Sequence, residues 1–338
     1  MMAGIGHGLF MVVTGGFVGG SFALPMRRNR WPWENSWLLF SVSGLVIMPW
    51  AVALGFIPHL SNIYAGVPQR LLVEIALFGL VWGIGATLCG LGMNEMGLAV
   101  GYSIVVGIAA TLGSLIPLAI LHPEQLLLRK GQLLITGTAV MLIGLAFLAV
   151  AGHRRERDTS AIRAGASSRV WLGLAICVLA GIFSSLLNFS FNFDVPLQRL
   201  TLAGGAKPYL VHFATWPIAT SAGFIVNAGY CAYLLKKNHT VSNFVQQGRV
   251  GAWVGGILMG VLWFGGNLIY TMGAATMGPL GAIVGWPIAM GMNVLAAYCW
   301  GVLNGEWKGA SLAARAYSWA AAAALMMAIY VVSLGNSS

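Results

Sequence analysis

Three ionisable side chains, Glu74, Asp194 and His212, stand within or at the edge of long apolar stretches. A charge in such surroundings is expensive, and burial favours the neutral form of a carboxylic acid. An acid or imidazole placed there can therefore load and release a proton. Two tryptophans, Trp82 and Trp263, lie in the middle of apolar runs rather than near their ends, where tryptophan usually sits in a membrane. An indole face suits the apolar face of a sugar ring, and a few amides or hydroxyls beside it suit the ring's hydroxyls. Such groups recur at helical spacing. Trp263, Asn267 and Tyr270 share one face, and His212, Trp216, Thr220, Gly223 and Asn227 form a longer stripe. Ser185, Asn188 and Asn192 make a third stripe, and His7, Thr14 and Ser21 a fourth. Polar groups turned toward lipid are costly, so the stripes should point into a shared interior. These residue types in this pattern suit a small neutral polyhydroxyl ligand taken together with a proton.

The elements that carry these residues are membrane helices. Of 338 residues 58% are hydrophobic and only 8% charged, against roughly 25% charged in a soluble domain. Nearly all the charge-free runs are long enough for one helix of about 20 residues across a bilayer. The run from Val250 to Gly305 holds two, broken at Gly278-Pro279, and the run from Asn35 to Gln69 holds one helix and a loop punctuated by Pro58 and Pro68. The expected fold is an all-α membrane protein with ten transmembrane helices.

The net charge of +10 marks orientation rather than a nucleic-acid partner. Thirteen of the 18 lysines and arginines fall at loops 1–2, 3–4, 5–6, 7–8 and 9–10 or the helix ends beside them. The positive-inside rule puts those loops in the cytoplasm and both termini outside. The four cysteines lie in apolar helices without a CxxC pair, so neither a metal nor a redox cofactor is expected. There is no HExxH, Walker or GxSxG sequence and no pair of carboxylates on one helix, so an enzyme is not expected either.

An internal repeat organises the ten helices. "GLVWGIGATLCGLGMNEMG" (79–97) lies over "GVLWFGGNLIYTMGAATMG" (260–278) without a gap, pairing Gly79, Trp82, Gly85, Gly92, Met96 and Gly97 with Gly260, Trp263, Gly266, Gly273, Met277 and Gly278. A weaker echo joins "GLFMVVTGGFVGG" (8–20) to "GLAICVLAGIFSS" (173–185). Helix 3 is thus paired with helix 8 and helix 1 with helix 6. Each unit has five helices, an odd number, so the second unit must be inverted relative to the first. The expected organisation is a first repeat over 1–151, a basic cytoplasmic linker over 152–168 and a second repeat over 169–338. Inverted repeats of this kind belong to alternating-access transporters, with substrate near the midplane between the halves. The glycines, although spaced like a phosphate loop, lie inside an apolar span and are expected to let helices approach closely.

Plainer alternatives accompany the functional ones. Glu74 lies about one turn inside helix 3, with Phe78 and Trp82 on its face, and is otherwise an interfacial acid reaching water. Asp194 falls off the Asn188/Asn192 face of a regular helix, and His212 begins its stripe near the outer end of helix 7. Trp286 and Asn293, in "VGWPIAMGMN" (284–293), are further candidates to shape the pocket.

Four segments, "RWPWENSW" (30–37), "VWGIG" (81–85), "GIFSS" (181–185) and "GEWKGA" (305–310), resemble the L-rhamnose–proton symporter family of the drug/metabolite transporter superfamily. They spread over both halves, and the Trp-x-Trp-Glu-Asn sequence is the most specific of them. The resemblance implies two inverted five-helix units, a drug/metabolite transporter-like fold, a sugar substrate and uptake driven by protons. None of Glu74, Asp194 and His212 lies in the matched segments, so no proton site carries over with it. From its own residues, "RWPWENSW" is an interfacial anchor, with Glu34 favouring the helix dipole.

The expectation is a monomeric importer of a neutral sugar such as L-rhamnose, coupled to protons, in a bacterial cytoplasmic membrane. Its substrate-binding residues are expected among Trp82, Asn188, Asn192, His212, Trp216, Asn227, Trp263, Asn267, Tyr270 and Trp286. Its proton site is expected among Glu74, Asp194 and His212. An uncoupled facilitator or exporter of another metabolite is the alternative, and a membrane-embedded enzyme or scaffold a more distant one.

Overall fold

The computed structural model describes residues 2–28, 31–96, 98–159, 170–245 and 250–337, and these contain no strand. Ten helical spans are long and apolar enough to cross a membrane. In chain order they are α1 Gly6–Met26, α2 Trp33–Phe56, α3 Gln69–Met93, α4 Val100–Leu121, α5 Arg129–Arg155, α6 Trp171–Ala203, α7 Pro208–Lys237, α8 Val250–Thr276, α9 Gly281–Leu303 and α10 Leu312–Leu334. Gly278, at a backbone φ of 88°, turns the chain between α8 and α9 as the Gly-Pro pair suggests. The segment after α2 is a short helix, Leu60–Gly66, rather than a loop throughout. The helix that carries α5 runs on to Thr159, so the expected linker begins as helix. Residues 160–168 of that linker, the glycine at 97 in the repeat, and the arginines at 30, 169 and 249 lie outside the described residues.

Several spans are irregular, and each irregularity has a local cause. Pro49 lacks an N–H for the carbonyl one turn back, and a π-helical stretch, Val42–Ile47, precedes it in α2. Pro117 interrupts the hydrogen-bond ladder of α4 and Pro287 that of α9. The α6 span is two pieces, a long helix Val170–Asn192 and a short one Val195–Ala203, with Asp194 at the N-cap position of the second. The α7 span opens as a 3-10 stretch, Pro208–Ala214, before the regular helix Thr215–Lys237.

The helices pack in reciprocal pairs. α1 lies against α8 and α9, α6 lies against α3 and α4, and α5 lies against α10. α2 packs on α7 and α8, and α7 in turn packs on α3. Without a solvent-driven force between helices in lipid, such contacts rest on close van der Waals fit, which small residues allow. A Cβ at Gly83 would stand 2.6 Å from the Gly223 carbonyl oxygen, and one at Gly266 would stand 2.6 Å from that of Gly15. Neither backbone can move aside cheaply.

Adjacent glycines provide a test. Gly266 faces the α1 backbone, whereas a Cβ at Gly265 meets nothing within 4 Å. Gly266→Val should lower the melting temperature of the purified protein sharply, overpacking costing about 1–3 kcal/mol or more. Gly265→Ala should leave it near the wild-type value. Equal melting of the two variants would refute the close α1–α8 contact.

Candidate functional site

A central cavity of about 160 Å³ lies among α1, α2, α3, α4, α6, α7, α8 and α9. Trp82 and Trp263 both line it, their rings stacked at 5.4 Å between centroids and 25° between planes. Trp216 stands edge-on to Trp263 at 6.2 Å, and its indole N–H donates to the Thr271 hydroxyl at 3.3 Å. Asn227, Asn267 and Trp286 also line the cavity. Asn227 accepts a hydrogen bond from the Trp37 indole at 2.9 Å, and the Trp286 indole donates to the Ala109 carbonyl at 3.0 Å. The Asn293 side-chain oxygen is buried at this cavity and has no hydrogen-bond partner among the described residues. An unsatisfied buried acceptor costs about 1–3 kcal/mol, and this one is free to take a hydrogen bond. None of the described lining residues is an Asp, Glu, Lys, Arg or His.

A second space, about 530 Å³, opens at the end of the bundle formed by the 6–7 and 8–9 connections. Asn192, Gln198, His122 and His212 contribute its polar lining, with Phe191, Ala274 and Ala282 around them. One helical turn separates Phe191 from Leu187 and Ala282 from Trp286, and the second member of each pair belongs to the central cavity. The layer between the two spaces is hydrogen-bonded. Pro117 supplies no N–H for the Gly113 carbonyl, and the Asn188 amide donates to that oxygen at 2.8 Å. The Tyr270 hydroxyl, buried, donates to the Asn188 side-chain oxygen at 3.0 Å and lies 3.2 Å from the Ala282 carbonyl. Asn188 and Tyr270 therefore tie α4, α6, α8 and α9 together as a barrier rather than lining either space.

The ionisable candidates separate clearly. Asp194 has no exposed surface, because the break in α6 turns it away from the course a regular helix would give it. It accepts hydrogen bonds from the Thr215 hydroxyl and the Gln198 amide, and His212 Nδ1 stands 3.6 Å from its carboxylate. Glu74 lies apart from both spaces, exposed and paired with Arg70 at 2.7 Å on its own helix.

Trp37 and Tyr102 line the cavity although neither is among the sequence-derived site residues. Trp37 sits in the "RWPWENSW" segment read as an interfacial anchor, one turn deeper than Trp33, on which it stacks at 4.9 Å. Its depth in the helix was the available signal. Glu34 and Asn35 of that segment are buried and hold the 7–8 connection: Glu34 accepts from Asn238 at 3.0 Å and Thr240 at 2.8 Å, and Asn35 donates to the Thr240 carbonyl at 3.0 Å. They form a latch from the start of α2 to the 7–8 connection.

A family model described as L-rhamnose-proton symport protein (RhaT) matches residues 1–338. The chain belongs to this family. Among curated relatives, the L-rhamnose-proton symporter of Mannheimia succiniciproducens is 27% identical over 310 residues, covering 89% of both chains. Those of Escherichia coli O1:K1 / APEC and Citrobacter koseri are 27% and 26% identical over 318 residues, covering 92% of both. Membership of the L-rhamnose-proton symport family makes this protein a transporter rather than an enzyme, and its ten spans make it a multi-pass membrane protein.

The barrier layer is testable through Cys89, which lines the central cavity. Tyr270→Phe removes the hydroxyl and leaves the Asn188 side-chain oxygen short of its donor. Modification of Cys89 by an impermeant maleimide added from the 6–7/8–9 side, read by mass spectrometry, should rise several-fold. Unchanged modification would show that this layer is not the barrier.

Proposed function

We propose that the protein imports a neutral deoxy sugar of the L-rhamnose type together with protons, binding it in the central cavity. The observation that carries this is the cavity's composition: an aromatic wall formed by Trp82 and Trp263, flanked by Asn227, Asn267 and Asn293, with no charged side chain in its described lining. An anionic or cationic cargo would need a counter-charge, whereas a sugar needs an apolar surface and amides. The space is smaller than the roughly 300–1,000 Å³ of sites for drug-sized ligands, in keeping with a monosaccharide. The indole rings lie too close for a sugar to enter between them, so the pair works as one surface. The names of the relatives, all L-rhamnose-proton symporters, support the same cargo and coupling.

Transport proceeds by alternating access between two inverted five-helix units of the drug/metabolite transporter type. The support is a reciprocity of contacts at the positions the sequence repeat pairs. Gly266 of α8 meets Gly19 of α1, and its counterpart Gly85 of α3 meets Ser184 of α6, the counterpart of Gly19. In the same way Gly273 packs on Val12, and Gly92 packs on Cys177. In the conformation described, Asn188 and Tyr270 close the cavity toward the second space, which serves as an entry vestibule. The excess of lysine and arginine at loops 1–2, 3–4, 5–6, 7–8 and 9–10 supports a vestibule facing outward in a bacterial cytoplasmic membrane, with both termini outside. A single chain encloses the whole cavity, so a monomer suffices.

The test is uptake of labelled L-rhamnose into proteoliposomes under an inward proton gradient, with a panel of other sugars as competitors. Concentrative uptake with alkalinisation of the outside medium is expected. Trp82→Ala and Trp263→Ala should each weaken apparent sugar affinity about tenfold, equivalent to about 1.4 kcal/mol. Equilibration without concentration would favour a facilitator, and no competition by L-rhamnose would remove it as the cargo.

A further inference from the structure

Asp194 is a fully buried carboxylate, and no lysine or arginine among the described residues comes within ion-pair distance of it. Isolated buried carboxylates are strongly disfavoured, so an acid kept in this position must have a partner that can carry charge or a proton of its own. His212 is that partner. Its side chain is 7% exposed, it borders the vestibule, and its Nδ1 lies 3.6 Å from the Asp194 carboxylate without a hydrogen-bond partner among the described residues. The distance is too long for a hydrogen bond and short enough for a small ring movement to make one.

We propose that Asp194 and His212 form the proton-carrying pair of this transporter, loaded from the vestibule. This rests on the reading of the protein as a proton-coupled importer and names the site that reading leaves open. Water in the vestibule gives a proton to the imidazole, which becomes imidazolium beside the carboxylate or hands the proton to it. On the inward step the same proton returns to water on the other side. The pair thus alternates between one net negative charge and none, with Thr215 and Gln198 holding the carboxylate throughout.

Among the described residues no lysine or arginine is placed to neutralise Asp194 permanently. On the short helix Val195–Ala203 the cation is Arg199, exposed, and in the following turn Lys207 is exposed and stands over the Tyr209 ring at 5.9 Å. From the neighbouring segment His59 is exposed and the Tyr64 hydroxyl donates to the Ala214 carbonyl at 2.7 Å. From α8 the Tyr270 hydroxyl is committed to the barrier layer, and the second half of α2, Met48–Phe56, brings no ionisable group. Across the vestibule His122 faces Glu124 at 3.6 Å.

The pair is also joined to the sugar wall. The His212 ring meets Phe191 edge-on at 5.6 Å, Phe191 lies 4.5 Å from Trp216, and Trp216 lies 6.2 Å from Trp263. Thr215, bonded to Asp194, is the residue next to Trp216. A contiguous file of packed rings thus runs from the pair to the cavity, and it is the route along which the proposal couples a change of charge at the pair to the sugar wall.

The decisive comparison is between gradient-driven accumulation and counterflow in proteoliposomes, using L-rhamnose. Asp194→Asn should abolish concentrative uptake and sugar-induced proton entry, whereas counterflow, which needs no net proton movement, should persist and so report a folded carrier. His212→Gln should flatten the dependence of uptake on pH. Concentrative, proton-linked uptake by Asp194→Asn would overturn the proposal. A second arm uses the wild-type protein and no sugar: a hydrophobic carbodiimide reacts with protonated buried carboxyls, and mass spectrometry locates the adduct. Modification of Asp194, increasing as pH falls, is expected. Modification confined to other carboxylates would refute the pair even if L-rhamnose is not the cargo, and wild-type vesicles that fail to move L-rhamnose would count against the sugar alone.

Discussion

In hydrocarbon a backbone carbonyl or N–H cannot turn to water, so every interruption of a helix must be answered by another group of the protein. That constraint explains where the polar side chains of this protein are. Pro117 leaves the Gly113 carbonyl without its helical donor, and the Asn188 amide supplies one. Where the 3-10 opening of α7 passes into its regular helix, the Tyr64 hydroxyl donates to the Ala214 carbonyl. The break in α6 brings Asp194 against Thr215, Gln198 and His212. The Asn188 and Tyr64 bonds each tie one element to another, and the Asn188 bond lies in the layer between the vestibule and the central cavity.

Close packing provides the rest of the mechanism. Glycines on α3 and α8 let α6 and α1 approach at backbone distance. The two tryptophans carried by α3 and α8 then meet ring to ring across the centre. Packed interfaces of this kind shift as units rather than deform gradually, and on the proposed alternating-access reading such a shift would part or rejoin the barrier layer while the aromatic wall stays near the middle.

Much of this is legible in the sequence, and the failures have definite causes. Ten spans follow from composition and length, and the buried stripe of α7, from Trp216 to Asn227, follows from helical period. The cavity position of Trp82 and Trp263 follows from tryptophan placed at mid-span. Periodicity names a face but not the occupant of the space it faces: Asn188 and Tyr270, expected as ligand contacts, are bonded to each other and to backbone in this conformation. Asp194 read as misdirected because a regular helix was assumed where the chain breaks. Glu74 read as sharing a face with Trp82, yet each four-residue step drifts about 40° around a helix, and two steps carry it away from the cavity. The latch made by Glu34 and Asn35 joins residues some two hundred positions apart, which no local pattern reveals.

A structure determined with L-rhamnose bound would bear most directly on the central claim. The sugar should lie in the cavity against Trp82 and Trp263, with one of its hydroxyls donating to the Asn293 side-chain oxygen. Sugar found only in the vestibule beside His212, with the aromatic wall untouched, would contradict it.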